Sequence, residues 1–184
     1  MTHRHTLSLT ALGLSVLGLS ACSYMGSHSM HSQAELPSSV QVPAGHKVVM
    51  ETVGIGQITY ECRAKKDMAT EHEWVFVGPD AKLQTRSGTV IGKYWGPPAT
   101  WENNDGSKVT ATQLAVSPAG PGNIPLQLVK ANPATGMGAM QGVTYIQRVA
   151  TKGGVAPSMA CGASNLGSKQ VVQYQADYIF WKAV

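Results

Sequence analysis

This sequence is short of charge. Only 13% of its 184 residues are Asp, Glu, Lys or Arg. The 14 Lys and Arg are scattered, and Lys65-Lys66 is the longest basic run. A formal charge of +4 spread this thinly argues against nucleic-acid binding, which needs clustered cations. Cysteine is scarce as well. There are three, at positions 22, 62 and 161, and no Cys-x-x-Cys, so a dithiol redox motif is absent. No Gly-x-Ser-x-Gly occurs, which removes the usual nucleophile turn of serine hydrolases. Helical periodicity is missing too: no window of a dozen residues keeps a 3.6-residue apolar repeat with caps. Long hydrophobic runs are limited to Leu7–Leu19, which is too short for a permanent transmembrane helix.

What is present begins with that run. It follows the basic start Met1-Thr2-His3-Arg4-His5 and ends in Leu19-Ser20-Ala21-Cys22. A charged start, an apolar stretch and a small-residue ending read as a secretory leader over residues 1–21. The ending resembles the lipobox of bacterial lipoproteins. That resemblance implies a diacylglycerol on the Cys22 thiol, cleavage before Cys22 and acylation of the new amino terminus. Two buried acyl chains anchor a protein stably. Ser23, rather than Asp, follows the cysteine, which in enteric-type bacteria implies delivery to the outer membrane. The expected partner is therefore the membrane itself, in the cell envelope. Residues 22–41, rich in Ser, His and Met, hold few large apolar side chains and read as a flexible tether.

Residues 42–184 are long enough for one domain. Period-2 patterns dominate. Ile58, Tyr60 and Cys62 share one face, and so do Val172, Tyr174, Ala176, Tyr178 and Phe180. Arg86-Ser87-Gly88 and Asn104-Asp105-Gly106-Ser107 read as hairpin turns, and Gly78-Pro79-Asp80 as a turn that stops the strand at Trp74–Val77. Twenty Gly and ten Pro punctuate the chain throughout. The expected fold is all-β: a single antiparallel sandwich or barrel-like domain with long Gly/Pro-rich loops and one disulfide. With Cys22 used by lipid, Cys62 and Cys161 form an even pair in an oxidising compartment. A bridge would close a loop of about 100 residues, contributing about 4 to 5 kcal/mol on the chain-entropy model. Two buried free thiols are the alternative.

The stretches Val42-Pro43-Ala44-Gly45, Tyr60-Glu61-Cys62, Gly78 to Leu83, Asp105 to Val109, and Tyr145-Ile146-Gln147-Arg148 through Gly153-Gly154 and Pro157 to Cys161 resemble the domain of unknown function 3455 family, secreted proteins of bacteria and fungi. The resemblance implies an all-β secreted domain. It supplies no activity and no catalytic residues.

Three constellations are candidates for function. Tyr94, Trp95 and Trp101 bracket Gly96-Pro97-Pro98, and flat rings on a stiff loop suit a sugar or an envelope protein. At least one of Trp95 and Trp101 is expected at the surface. Glu102 and Asp105 beside them are a candidate carboxylate pair for glycan hydrolysis. Met25, His28, Met30 and His31 offer thioether and imidazole ligands for a soft metal. The sequence points to no cofactor. The reading it favours is a lipid-anchored, non-catalytic binding or structural module.

Overall fold

The structure is a computed structural model that describes Met1 and residues 31–184. The leader, Cys22 and three of the four soft-metal candidates (Met25, His28 and Met30) lie outside the described residues.

The domain is all-β. Eight strands run β1 (His46–Lys65), β2 (Met68–Gln84), β3 (Val90–Trp95), β4 (Thr100–Asn103), β5 (Lys108–Ser117), β6 (Leu126–Ala131), β7 (Val143–Gly153) and β8 (Lys169–Ala183). Each pairs antiparallel with the next, and β8 closes on β1, so the sheet is an up-and-down barrel. Of the two expected architectures the barrel is the one formed. Every strand has a partner on each side, but β2 and β5 run on beyond their short neighbours β3 and β4.

One expected break does not occur, and two glycines inside β1 do not interrupt that strand. β1 runs straight through Gly54 and Gly56, because both sit where a Cβ has no room. A Cβ on Gly54 would overlap the Tyr178 ring, and one on Gly56 would overlap the backbone of Asp80 and Ala81. These glycines mark close approach, not a turn. Gly78-Pro79-Asp80 likewise continues β2. The register slips there, with Tyr60 opposite Phe76 but Thr59 opposite Gly78, so Val77 is the extra residue of a bulge.

Inward side chains fill the barrel with Leu83, Tyr94, Trp101, Val109, Ile146, Tyr174, Tyr178 and Phe180 among them. The strand directions give the barrel two unlike ends. At one end lie the termini of the domain and the loops 85–89, 104–107 and 132–142. The 132–142 loop folds inward and buries Met140 completely. At the other end lie the loops 96–99, 118–125 and 154–168. The last is pinned by the Cys62–Cys161 disulfide, with Cα atoms 5.4 Å apart. It is held further by a Trp74 Nε1 hydrogen bond to the Met159 carbonyl at 2.8 Å.

The described part of the expected tether is not free. Residues 31–42 form a strap over the outer face of β5 to β8, with 3₁₀ turns at Gln33–Glu35 and Ser38–Val40. Val40 is fully buried, and Leu36 and Val42 pack on Val149, Ile179 and Trp181. Gln147, itself fully buried, ties the strap down. Its Nε2 donates to the Val40 carbonyl (2.6 Å) and to Gln33 Oε1 (3.0 Å), while its Oε1 accepts from Trp181 Nε1 (2.9 Å). Three apolar side chains and a satisfied amide network are enough to order a segment whose composition reads as polar.

Candidate functional site

The end of the barrel away from Met140 holds a cavity of about 310 Å³. Side chains from β2 through β7 and the 96–99 loop line it. The bulge between Val143 and Tyr145 sets the inner face of β7. Beyond it Ile146 points to the core, Gln147 and Val149 face the strap, and Arg148 lines the cavity.

The floor is aromatic. Tyr94 and Trp101, directly opposite across β3 and β4, stack with centroids 4.6 Å apart and planes at 22°. Tyr178 lies behind both, at 5.0 and 5.8 Å. Its hydroxyl is 3.2 Å from that of Tyr174. The Trp101 Nε1 is buried and has no hydrogen-bond partner among the described residues.

The mouth is polar. Arg148 donates from Nε (3.1 Å) and Nη2 (3.0 Å) to the Pro125 carbonyl, which fixes its guanidinium. Gln127 Nε2 donates to Gln113 Oε1 at 2.6 Å beside it. Gly96, Pro97 and Ala99 form the rim on the other side, with both proline peptides cis. Gly78 admits that rim, since a Cβ there would collide with the Gly96 carbonyl.

The charge of Arg148 reaches inward. Burial pushes the Tyr94 phenol above its ordinary pKa, and Arg148 opposes that shift. The same opposition acts on Tyr60, Tyr174 and Tyr178, all raised chiefly by burial. Among the described residues Arg148 joins no ion pair. The lining contains no carboxylate, imidazole, thiol or aliphatic hydroxyl. It can hold a molecule through apolar contact and hydrogen bonds. It lacks the paired acid and base that hydrolysis requires.

Comparison with protein families places this chain. The model of a family described as proteins of unknown function, DUF3455, matches residues 43–182. The chain belongs to that family. Neither the curated proteins nor the solved structures give a match.

Within this DUF3455 barrel the sequence-derived candidates separate. Tyr94 and Trp101 are interior, 6% and 1% exposed, and both line the cavity. Trp101 is therefore core, not a surface ring on a recognition loop. Trp95 has the opposite parity and is 37% exposed, so one of the two tryptophans does reach the surface. Glu102 points outward and pairs with Lys93 at 3.4 Å.

Asp105 sits at the closed end. It accepts from the Ser107 hydroxyl (2.6 Å), the Ser107 amide (2.8 Å) and the Ala139 amide (2.8 Å). Those bonds, the Ser107 hydroxyl first, hold its carboxyl below the usual range. Its contribution is present above the unfolded aspartate pKa and is lost as pH falls through the lowered folded value. Glu102, on the outer face of β4, serves an ion pair, and Asp105, within the following turn, serves as a loop anchor, so neither lines the cavity.

His31 is the one described member of the Met/His group. Its Nε2 lies 2.8 Å from Asp177 Oδ2, which also accepts from Arg86 Nη2 at 2.9 Å. The imidazole is part of the strap's attachment. No group of three or more potential His, Cys, Asp or Glu metal ligands occurs among the described residues. The residue that sequence reasoning passed over is Arg148, quoted only within the Gln147-Arg148 resemblance. The bulge at 143–145 hides its inward parity from any strict alternation.

Proposed function

We propose that this protein is a lipid-anchored envelope protein whose barrel is a non-catalytic binding module, with the cavity at the open end as its ligand site. The observation that carries this reading is the asymmetry of the barrel. One end is sealed by Met140 and the Asp105–Ser107 anchor. The other keeps a cavity of about 310 Å³ with an aromatic floor and a polar mouth. An eight-stranded barrel is just wide enough either to be filled or to hold one small ligand. Cavities from about 300 Å³ upward are typical of small-molecule sites. The hydrolase alternative loses support, because its two carboxylates are committed elsewhere.

The binding part is tested by a small-molecule screen against the full chain, repeated on Ala111→Trp. Ala111 lines the cavity, and an indole there would occupy it. Hits on the native chain should be lost in the variant. Hits that bind both proteins equally would place the ligand elsewhere.

The anchor rests on Leu19-Ser20-Ala21-Cys22. Cys22→Ala should move the protein from the membrane fraction to the soluble fraction and abolish labelling by a palmitate analogue. A variant that stays in the membrane fraction, with no label on the native protein, would contradict the lipoprotein assignment.

A further inference from the structure

We propose that the cavity takes a small organic monoanion: one carboxylate on a compact aromatic or alicyclic body. This inference rests on the binding-module reading above and adds the ligand's chemistry to it.

Size sets the first limit. The cavity, at about 310 Å³, is about twice the ~150 Å³ void that accommodates benzene. One ring with a short substituent fits; a long acyl chain or an oligosaccharide does not. The floor sets the second. Tyr94 and Trp101, stacked on each other and only 6% and 1% exposed, form a tight, mostly apolar wall, which favours a compact ring over a branched polar body. A sugar needs a hydrogen-bond partner for most of its hydroxyls, and this floor carries only one phenol and one indole.

The mouth sets the sign. A guanidinium has five N–H donors. Arg148 gives two of them to the Pro125 carbonyl, from Nε and Nη2. The edge between Nη1 and Nη2 stays available for a carboxylate, the partner that matches a guanidinium fork. Nothing among the described residues forms an ion pair with this cation. The amides of Gln113 and Gln127 add neutral donors beside it. A single guanidinium balances a monoanion. A phosphate dianion would bring a second negative charge with no cation in the cavity lining to meet it.

The test uses the full chain in lipid nanodiscs and calorimetric titration with three one-ring probes of similar size: benzoate, its neutral isostere benzamide, and the cation benzylamine. Benzoate should bind about tenfold or more tightly than benzamide, since a hydrogen bond to a charged group is worth more than a neutral one. Benzylamine should give no heat. Arg148→Gln should reduce benzoate to the level of benzamide. Because that change also removes two bonds to Pro125, Gln113→Glu supplies an independent arm. Gln113 is exposed and touches no core residue through its amide, so this variant should fold normally and still weaken benzoate about tenfold. Equal affinity for benzoate and benzamide, unchanged by Gln113→Glu, would overturn the anion inference and leave the binding module standing. Failure of all three probes, together with an empty screen on the native chain, would overturn both.

Discussion

Trp101→Ala should destabilise the domain by about 3 to 5 kcal/mol, the usual cost of truncating a buried tryptophan. For a domain of this size that is a fall of roughly 10 °C or more in Tm. Trp101 is 1% exposed and sits between Tyr94 and Tyr178, so the loss removes packing from two rings at once. Trp95→Ala is the control. Its side chain is 37% exposed, and substitutions at such sites usually stay within about 0.5 kcal/mol. Thermal melts of the two variants measure the difference directly. Similar losses for both would mean that the inner and outer faces of β3 and β4 are misassigned. The cavity floor would then fall with them.

Cys161→Ser should cost about 2 to 5 kcal/mol in urea unfolding, the range for a native bridge in a small secreted domain. The disulfide closes a separation of 99 residues, so most of the constraint acts on the unfolded chain. In the folded state it fastens the 154–168 loop to β1. That loop keeps other ties. The Gly167 amide donates to the Cys62 carbonyl at 2.8 Å, and the Cys62 amide to the Ser168 carbonyl at 2.9 Å. The barrel should therefore still form in the variant, with a lower urea midpoint. Alkylation of the native, unreduced protein should leave Cys62 and Cys161 unmodified. Two modified thiols at those positions would refute the bridge.

Much of the barrel is written in the alternation of its strands. Tyr174, Ala176, Tyr178 and Phe180 repeat every second residue, and all four are core. Asp105-Gly106 marks its hairpin because the turn needs a positive φ, which Gly106 supplies at 85°. Other features depend on residues far away in the chain. Gly54 has no visible role in the alternation of β1 until the Tyr178 ring is placed against it. β4 spans only Thr100–Asn103, too short for its own parity to say whether Trp101 or a neighbour faces inward. The strap left one readable trace. Ile179 and Trp181 are apolar on the face of β8 opposite the core, which means that something must cover them. Composition alone assigns residues 22–41 to a tether, because local polarity says nothing about the partner surface that β5 to β8 supply to residues 31–41. The site was half legible. Tyr94 and Trp101 stood out as aromatic residues, but their role as a buried floor needed the closed sheet, and Arg148 needed the bulge in β7.

The central claim is that a small molecule binds inside the open end of the barrel. The chain has four tryptophans, hence four indole N–H resonances in a ¹⁵N-labelled sample. Trp101 lines the cavity, whereas Trp181 is tied to Gln147 beneath the strap. With hits from the screen, the Trp101 indole resonance should shift on titration while that of Trp181 stays fixed, and Ala111→Trp should abolish the shift. A screen whose hits move Trp181 or Trp95 and leave Trp101 unchanged would contradict a ligand site in this cavity.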